Sequence, residues 1–420
     1  MFATLFGLAA MALLTLCLRL GDSPQLVVSD GKAYYAWVRS VLLDRDVEFR
    51  NDYELLCPPD PLPPEHDRAT PKHDATNKYP VGLAVLETPG FLVGHVVALA
   101  GGGRWSTDGV SSPYQVAVAF SLLALALAGF VWLRAALLAA GVPDAIAVAL
   151  TIASAVATNA IHYVAKEPAM PHAAGMALVS FLLWRLVSPR RRLADAVAIG
   201  VAAGLLLLVR NSNVALAPIL GLLWWRGGRS RGSLVAAALA AIAVLALQPL
   251  SLHALWGDWR VSTYADEAFT GAPAGFWNGL FHARHGLFLY SPWYLVLVGL
   301  AASGARHRSV RPMLLATAAT FLAFVLVNGS WWCWWFGDSF GNRAYLEVLP
   351  VLTLAAGVSL SARTVTRAGV ARLSVAVAAF AFANVYLWAG YVLQRFPQDG
   401  THAVGDAWGW IARAADPGER

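Results

Sequence analysis

The stretch YPVGLAVLETPGFLVGHVVALA (79–100) decides the fold, because it is apolar enough to cross a membrane yet carries Glu87, His95 and two prolines, Pro80 and Pro89. A crossing helix needs about 20 mostly apolar residues to span ~30 Å of hydrocarbon. Read as a crossing, the stretch moves every later segment to the other face. Read as a helix resting on one surface, it leaves them where they were. The surrounding sequence has to choose between the two.

That sequence belongs to an integral membrane protein. Of its 420 residues, 58% are hydrophobic and 13% charged, with a mean hydropathy of +0.56; soluble domains carry about 25% charged residues. The net charge of +6 is not a nucleic-acid footprint, since the arginines cluster in short loops between apolar runs, where they report topology. Residues 2–20 lack the basic start and small-residue cleavage site of a secretory signal and read as an uncleaved first helix. Three cysteines exclude a disulfide scaffold and a cysteine-based metal cluster. Cys17 falls in the first helix, whereas Cys57 and Cys333 fall on one face, where a disulfide between them is open.

Apolar runs occupy 2–20, 82–100, 113–139, 143–161, 169–187, 193–209, 212–225, 232–252, 286–303, 312–328, 345–361 and 371–393. Only Arg210 and Asn211 join 193–209 to 212–225, which form a helical hairpin or one broken segment. Four arginine-rich loops stand between these runs: Arg185 with Arg190, Arg191 and Arg192; Arg226, Arg229 and Arg231; Arg306, Arg308 and Arg311; and Arg363, Arg367 and Arg372. The positive-inside rule places all four in the cytoplasm, and the runs supply two passes between each consecutive pair. Counting backward puts 162–168 outside, 140–142 inside and 101–112 outside. With the N-terminus in the cytoplasm, the 21–81 loop is also outside, so 82–100 is not a full crossing. Pro80 and Pro89 are expected to interrupt it.

The expectation is an all-α integral membrane protein forming a single polytopic domain over 1–420, with about eleven transmembrane helices. The first outer loop, 21–112, carries juxtamembrane helices at 31–43 and 80–100, and an outer tail spans 394–420. The chain sits in the cytoplasmic membrane as a multi-pass protein, with its C-terminus and its polar loops outside.

The unusual polar residues collect on that outer face, as expected where distant segments build one site. Asp30 follows the first crossing, where Ser29 or Asp30 can cap a helix whose apolar stripe is Tyr34, Tyr35, Trp37, Val38, Val41 and Leu42. Asp30 is therefore either a cap or a base. Lys78 and Arg210 can snorkel as interface anchors, and Arg343 can belong to an aromatic belt with Trp331, Trp332, Trp334 and Trp335. His162 and His172 can satisfy nearby backbone groups, and Glu167 can cap the helix after Pro168. Their spacing is no metal motif.

Three motifs carry a family resemblance: SDGKAYYAW (29–37), NKYPVGLAVLETPGFL (77–92) and FGDSFGNRAYLEVLP (336–350). In this order they resemble the GT-C membrane glycosyltransferases, in the branch of protein O-mannosyltransferases and lipid A aminoarabinose transferases (glycosyltransferase family 39-like), over about residues 1–360. The first is similar to that family's catalytic acid on a juxtamembrane helix. The second is similar to its Lys-Pro-Pro helix, which also lies outside the membrane, although Lys-Tyr-Pro stands here. The third resembles an arginine-bearing loop that enters a late helix.

The resemblance implies a GT-C-like bundle that transfers a sugar from a polyprenyl-phosphate donor to a lipid, glycan or protein acceptor on the outer face, with inversion. Asp30 would be the base, assisted by Asp52 or Glu54, because an acceptor hydroxyl must lose a proton to attack. Lys78, Arg210 and Arg343 would hold the leaving phosphate. Tyr79, His162, Glu167, His172 and Trp335 would contact substrate. No cofactor is expected, a divalent metal stays open, and no nucleic acid is a partner. The alternatives are a transporter or lipid flippase, or a non-catalytic scaffold for envelope assembly.

Overall fold

A computed structural model describes residues 26–57, 67–189, 192–260, 264, 267–271, 273–397, 399 and 404–410. The first crossing expected at 2–20 with Cys17, the loop residues Arg190 and Arg191, and the end of the tail from 411 lie outside the described residues. Regular structure among the described residues is helical, apart from one isolated bridge between Phe269 and Trp331. Short helices come first: α1 (Gly31–Arg39), extended by a π-helical turn to Asp44, and α2 (Arg50–Leu56). Then follow α3 (Gly82–Ala100), α4 (Ser112–Ala139), α5 (Asp144–Val156), α6 (Ala160–Ala165), α7 (Pro171–Val187), α8 (Leu193–Val209) and α9 (Ala217–Arg226). The second half continues with α10 (Arg231–Leu245), α11 (Leu247–Trp256), α12 (Pro273–Phe281), α13 (Leu287–Tyr290), α14 (Trp293–Ala302), α15 (Arg311–Ser330), α16 (Leu349–Ser361), α17 (Arg367–Val392) and α18 (Val404–Trp408).

Each apolar run from 82 onward contains helix, but not every run is one long helix. Six spans are long and apolar enough to cross a membrane: Gly82–Ala100, Ser112–Ala139, Arg231–Trp256, Arg311–Ser330, Arg343–Ser361 and Arg367–Val392. The 143–161 run stops at Val156 as α5, and the 286–303 run is divided at Ser291 and Pro292 into α13 and α14. At 1.5 Å per residue, helices of 10 and 13 residues rise about 15–20 Å, short of the hydrocarbon thickness. Length alone therefore does not give eleven spans.

Two ends of the bundle differ in chemistry. At one end the arginine-rich loops touch one another: Arg229 donates to the Arg185 carbonyl at 2.7 Å, Arg226 to that of Ser309 at 3.4 Å, and Arg363 to that of Ser303. Arg185 also pairs with Asp195, whose carboxylate accepts from the Arg192 N–H at the start of α8. The 140–142 turn is at this end too, with Val142 against Gly357. Arg210 closes α8 at the other end, about 25 Å away for a 17-residue helix. From there α9 returns to the arginine end and packs on α15 and α7. The 193–225 region is thus a reversal, made by extended Arg210 and a 3-10 turn, Asn211–Leu216.

The short helices of the first hundred residues have their own aromatic core. Tyr35, Trp37, Phe49, Tyr53, Phe91 and Tyr114 are buried together, each contributing about 2–3 kcal/mol by area. Trp37 Nε1 donates to the Tyr79 carbonyl at 2.9 Å and Asn77 Nδ2 to that of Ala33 at 2.6 Å, tying α1 to the Lys78 segment. Arg39 bridges Asp44 and Asp52 and reaches the Asp108 carbonyl.

Helix α3 runs unbroken through Pro89, which corrects the expected interruption. One lost backbone hydrogen bond is offset by close packing along the helix. Gly90 and Gly94 form a GxxxG face on α4, where a Cβ would come within 2.7 Å of Val118 Cα and 2.5 Å of Tyr114 Cα. These contacts fall on the first turns of α4, and Gly82 rests on the Leu208 carbonyl at the Arg210 end of α8. Glu87 is buried inside this face, with neither carboxylate oxygen hydrogen-bonded among the described residues.

Candidate functional site

The site begins with Asp30, which stands at the N-cap position of α1 but makes no capping hydrogen bond. Ser29 before it has φ 51°, the left-handed region that disfavours side chains. The Asp30 carboxylate turns away from the helix to Arg343, whose Nη2 donates to Oδ2 at 2.6 Å. Burial pushes the Asp30 carboxyl up, but Arg343, a hydrogen bond from Tyr79 and nearby Lys78 together bring it below the ordinary carboxylate range. It is an anion at neutral pH.

Arg343 is delivered by a loop whose backbone is specified residue by residue. Gly337 and Gly341 adopt positive φ, as does Phe336 at 57°, where a non-glycine residue is strained. The Asn342 side chain fastens the loop, donating to the Gly279 and Trp334 carbonyls and accepting from the Ala344 N–H. Asn159 Nδ2, from the turn before α6, donates to the Asn342 carbonyl at 3.2 Å. Arg343 itself is buried, and its Nε has no hydrogen-bond partner among the described residues.

A cavity of about 460 Å³ opens among these elements. Six of the residues singled out in the sequence line it: Asp30, Lys78, Tyr79, His172, Arg210 and Arg343. Its apolar wall includes Phe269, Trp331, Trp332 and Phe336. Each of its three cations already has a carboxylate from a distant segment. Arg343 pairs with Asp30, Lys78 with Glu267 at 2.5 Å, and Arg210 with Glu347 at 3.1 Å. The sequence candidates include neither Glu267 nor Glu347. Glu347 had a readable signal, as the single acid in the apolar 343–361 segment, where a carboxylate is functional by default. Glu267 had none.

The other five sequence candidates are placed away from the cavity wall. Asp52 is buried on Arg39 at 2.7 Å, held there by the packing of α2 beneath α1, and Glu54 is exposed on the far side of α2. His162 accepts from Trp388 Nε1 through Nδ1 at 3.2 Å, within an aromatic cluster containing Phe340 and Tyr391. Glu167 lies 3.3 Å from the other ring nitrogen of His162. Trp335 sits under Arg284, whose guanidinium is 4.0 Å from the ring centroid, so Trp331 and Trp332 take the lining role. No disulfide joins Cys57 to Cys333, since the first is in the aromatic core around α1 and α2 and the second in the cavity wall. Among the described residues no group of three His, Cys, Asp or Glu side chains gathers as a metal site would require.

No family model matches the chain, and no curated protein sequence matches it. Solved structures do. The crystal structure of ArnT from Cupriavidus metallidurans bound to undecaprenyl phosphate is similar at a TM-score of 0.51 and 15% identity. The apo form of the same protein is similar at 0.51 and 14%. Both alignments cover 97% of this chain and 75% of that one. The likeness is one of fold alone: the chain shares an all-helical bundle, with six spans among the described residues long and apolar enough to cross a membrane.

Proposed function

We propose that the chain is a glycosyltransferase that takes a sugar from a polyprenyl-phosphate donor and passes it to an acceptor hydroxyl at the outer face of the cytoplasmic membrane. The observation that carries this reading is the cavity in which an anionic Asp30 and a buried Arg343 face each other, within a fold shared with a protein bound to undecaprenyl phosphate. Its position at the end of the bundle opposite the arginine-rich loops supports an outer-face enzyme, since such loops favour the cytoplasm.

In this reading the acceptor oxygen attacks the anomeric carbon from the side opposite the phosphate, so the configuration inverts. The carbon–oxygen bond to phosphate breaks, and its electron pair leaves on the phosphate oxygen. The acceptor proton passes to Asp30. The leaving group becomes a stable anion without needing a proton, so the cavity has to stabilise charge rather than donate acid. Arg343, Lys78 and Arg210 supply that stabilisation, with the arginine forks suited to two phosphate oxygens at once. The apolar wall of Phe269, Trp331 and Trp332 suits the first isoprene units of the donor.

The test is transfer from synthetic polyprenyl-phosphate sugars by the purified chain in nanodiscs, scored by release of polyprenyl phosphate. Envelope glycans compared by mass spectrometry with and without the gene name the sugar and acceptor. Absence of both binding and release across a panel of sugars and prenyl lengths sinks the proposal.

A further inference from the structure

Glu347 cannot touch a substrate, being fully buried behind the cavity, yet it is built in with care. It belongs to the 3-10 turn Arg343–Val348, on the same short segment as Arg343. Both its carboxylate oxygens lie within hydrogen-bond distance of Arg210 Nη1, at 3.1 and 3.3 Å. The same Nη1 is 3.1 Å from His172 Nδ1. A guanidinium has no acceptor, so Nδ1 must accept, which fixes His172 as the tautomer protonated at Nε2. Its 3.5 Å approach to Glu347 Oε1 is then proximity rather than an ion pair.

Space for the acid is reserved on α7. A Cβ on Gly175 would lie 2.8 Å from Glu347 Cγ, so that helix position is kept empty for it. Arg210 occupies the extended break between α8 and the 3-10 turn, where regular helical packing does not orient its side chain. Its remaining nitrogens, Nε and Nη2, carry no hydrogen bond among the described residues. The residue lines the cavity with its guanidinium 5.8 Å from the Phe336 ring centroid.

We propose that Glu347 is a positioning residue: by gripping one nitrogen of Arg210, it holds the guanidinium in the cavity wall with its other donors open to the donor's phosphate. This deepens the proposed function and rests on it. Arg210 is therefore a fixed element of the phosphate site, and Glu347 acts only through it. Removing the acid leaves the cation in place but lets it wander, which weakens the donor-bound ground state and transition state alike. Such uniform loss is read in KM rather than kcat.

The experiment measures undecaprenyl phosphate binding and transfer kinetics in nanodiscs for the wild type, Glu347→Gln, Arg210→Lys and the double variant, each checked by melting temperature. Glu347→Gln keeps an amide oxygen for Arg210 and is expected to raise the lipid phosphate Kd and donor KM roughly tenfold, within the range for coupled buried groups, with kcat within about twofold. In the Arg210→Lys background the same change should cost nothing further, because the guanidinium it positions is gone. Gly175→Ala offers an independent route, displacing Glu347 without altering any charge, and should raise KM in the same direction. Unchanged KM in folded Glu347→Gln, or effects that multiply in the double variant, would overturn the role. A wild type that binds no polyprenyl phosphate sinks the functional reading and the inference with it, whereas a binding wild type with indifferent variants sinks the inference alone.

Discussion

Arg343 and Asp30 are 313 residues apart in sequence, and their side chains meet at 2.6 Å across the cavity. The proposed base and the proposed phosphate-holding cation are therefore each other's counter-ion. An incoming phosphate competes with Asp30 for the guanidinium, and a carboxylate that loses that partner becomes a stronger proton acceptor.

Asp30→Asn keeps the size of the side chain and removes its charge. We expect turnover to fall by about 10²–10⁴-fold, the usual worth of a general base. Polyprenyl phosphate binding should hold or tighten, since Arg343 no longer has to leave a carboxylate. Near-normal turnover in a folded variant would reduce Asp30 to a counter-ion.

Arg343→Ala strands the Asp30 carboxylate and removes the fork, so turnover and donor binding should fall together, turnover by roughly 10²–10³-fold. Arg343→Lys should recover part of this, because an ammonium restores the charge but not bidentate geometry. Full recovery by lysine would show that only charge matters at this position.

Stability should depend on pH through Asp52. Burial pushes its carboxyl up to about 7, against the opposing pull of Arg39. A raised folded value means that the native state binds the extra proton. The stabilisation is complete below the ordinary carboxylate range near 4 and is lost as pH rises through about 7. The melting temperature should decline over that window, and Asp52→Asn should flatten the decline. A wild-type profile rising from pH 5 to 7.5 contradicts this assignment.

Reporter fusions at residues 78 and 106 should both report the outer face. Gly82 beside Leu208 and Gly94 beside Tyr114 support an α3 that stays at the Arg210 end of the bundle. Opposite faces at the two fusions would make α3 a crossing helix, which its length and composition also permit.

The bundle was largely legible because apolar runs and arginine loops are local signals, and membrane solvation enforces both. What escaped was set by tertiary packing. Pro89 was expected to break α3, and the GxxxG contact at Gly90 and Gly94 carries the helix through it. The cavity residues Asp30, Lys78 and Arg343 were found through motifs that retain their order along the chain. Glu267, the partner of Lys78, was not, since only the folded chain sets it apart from other acids, whereas Glu347, the partner of Arg210, stood out as the single acid of its apolar segment. Asp52 and His162 looked equally chemical in sequence, but the core around α1 and α2 claims the first and an aromatic cluster the second.

Pairing Lys78, Arg210 and Arg343 one for one with Glu267, Glu347 and Asp30 leaves the cavity with little net field to project into solution. Long-range steering of an anion from water would therefore be weak, and capture of the donor should depend little on ionic strength. The proposed donor, anchored by an isoprenoid tail, would not need such steering. Such a donor would arrive by lateral diffusion in the leaflet, and a soluble phosphate would gain no electrostatic advantage at the entrance.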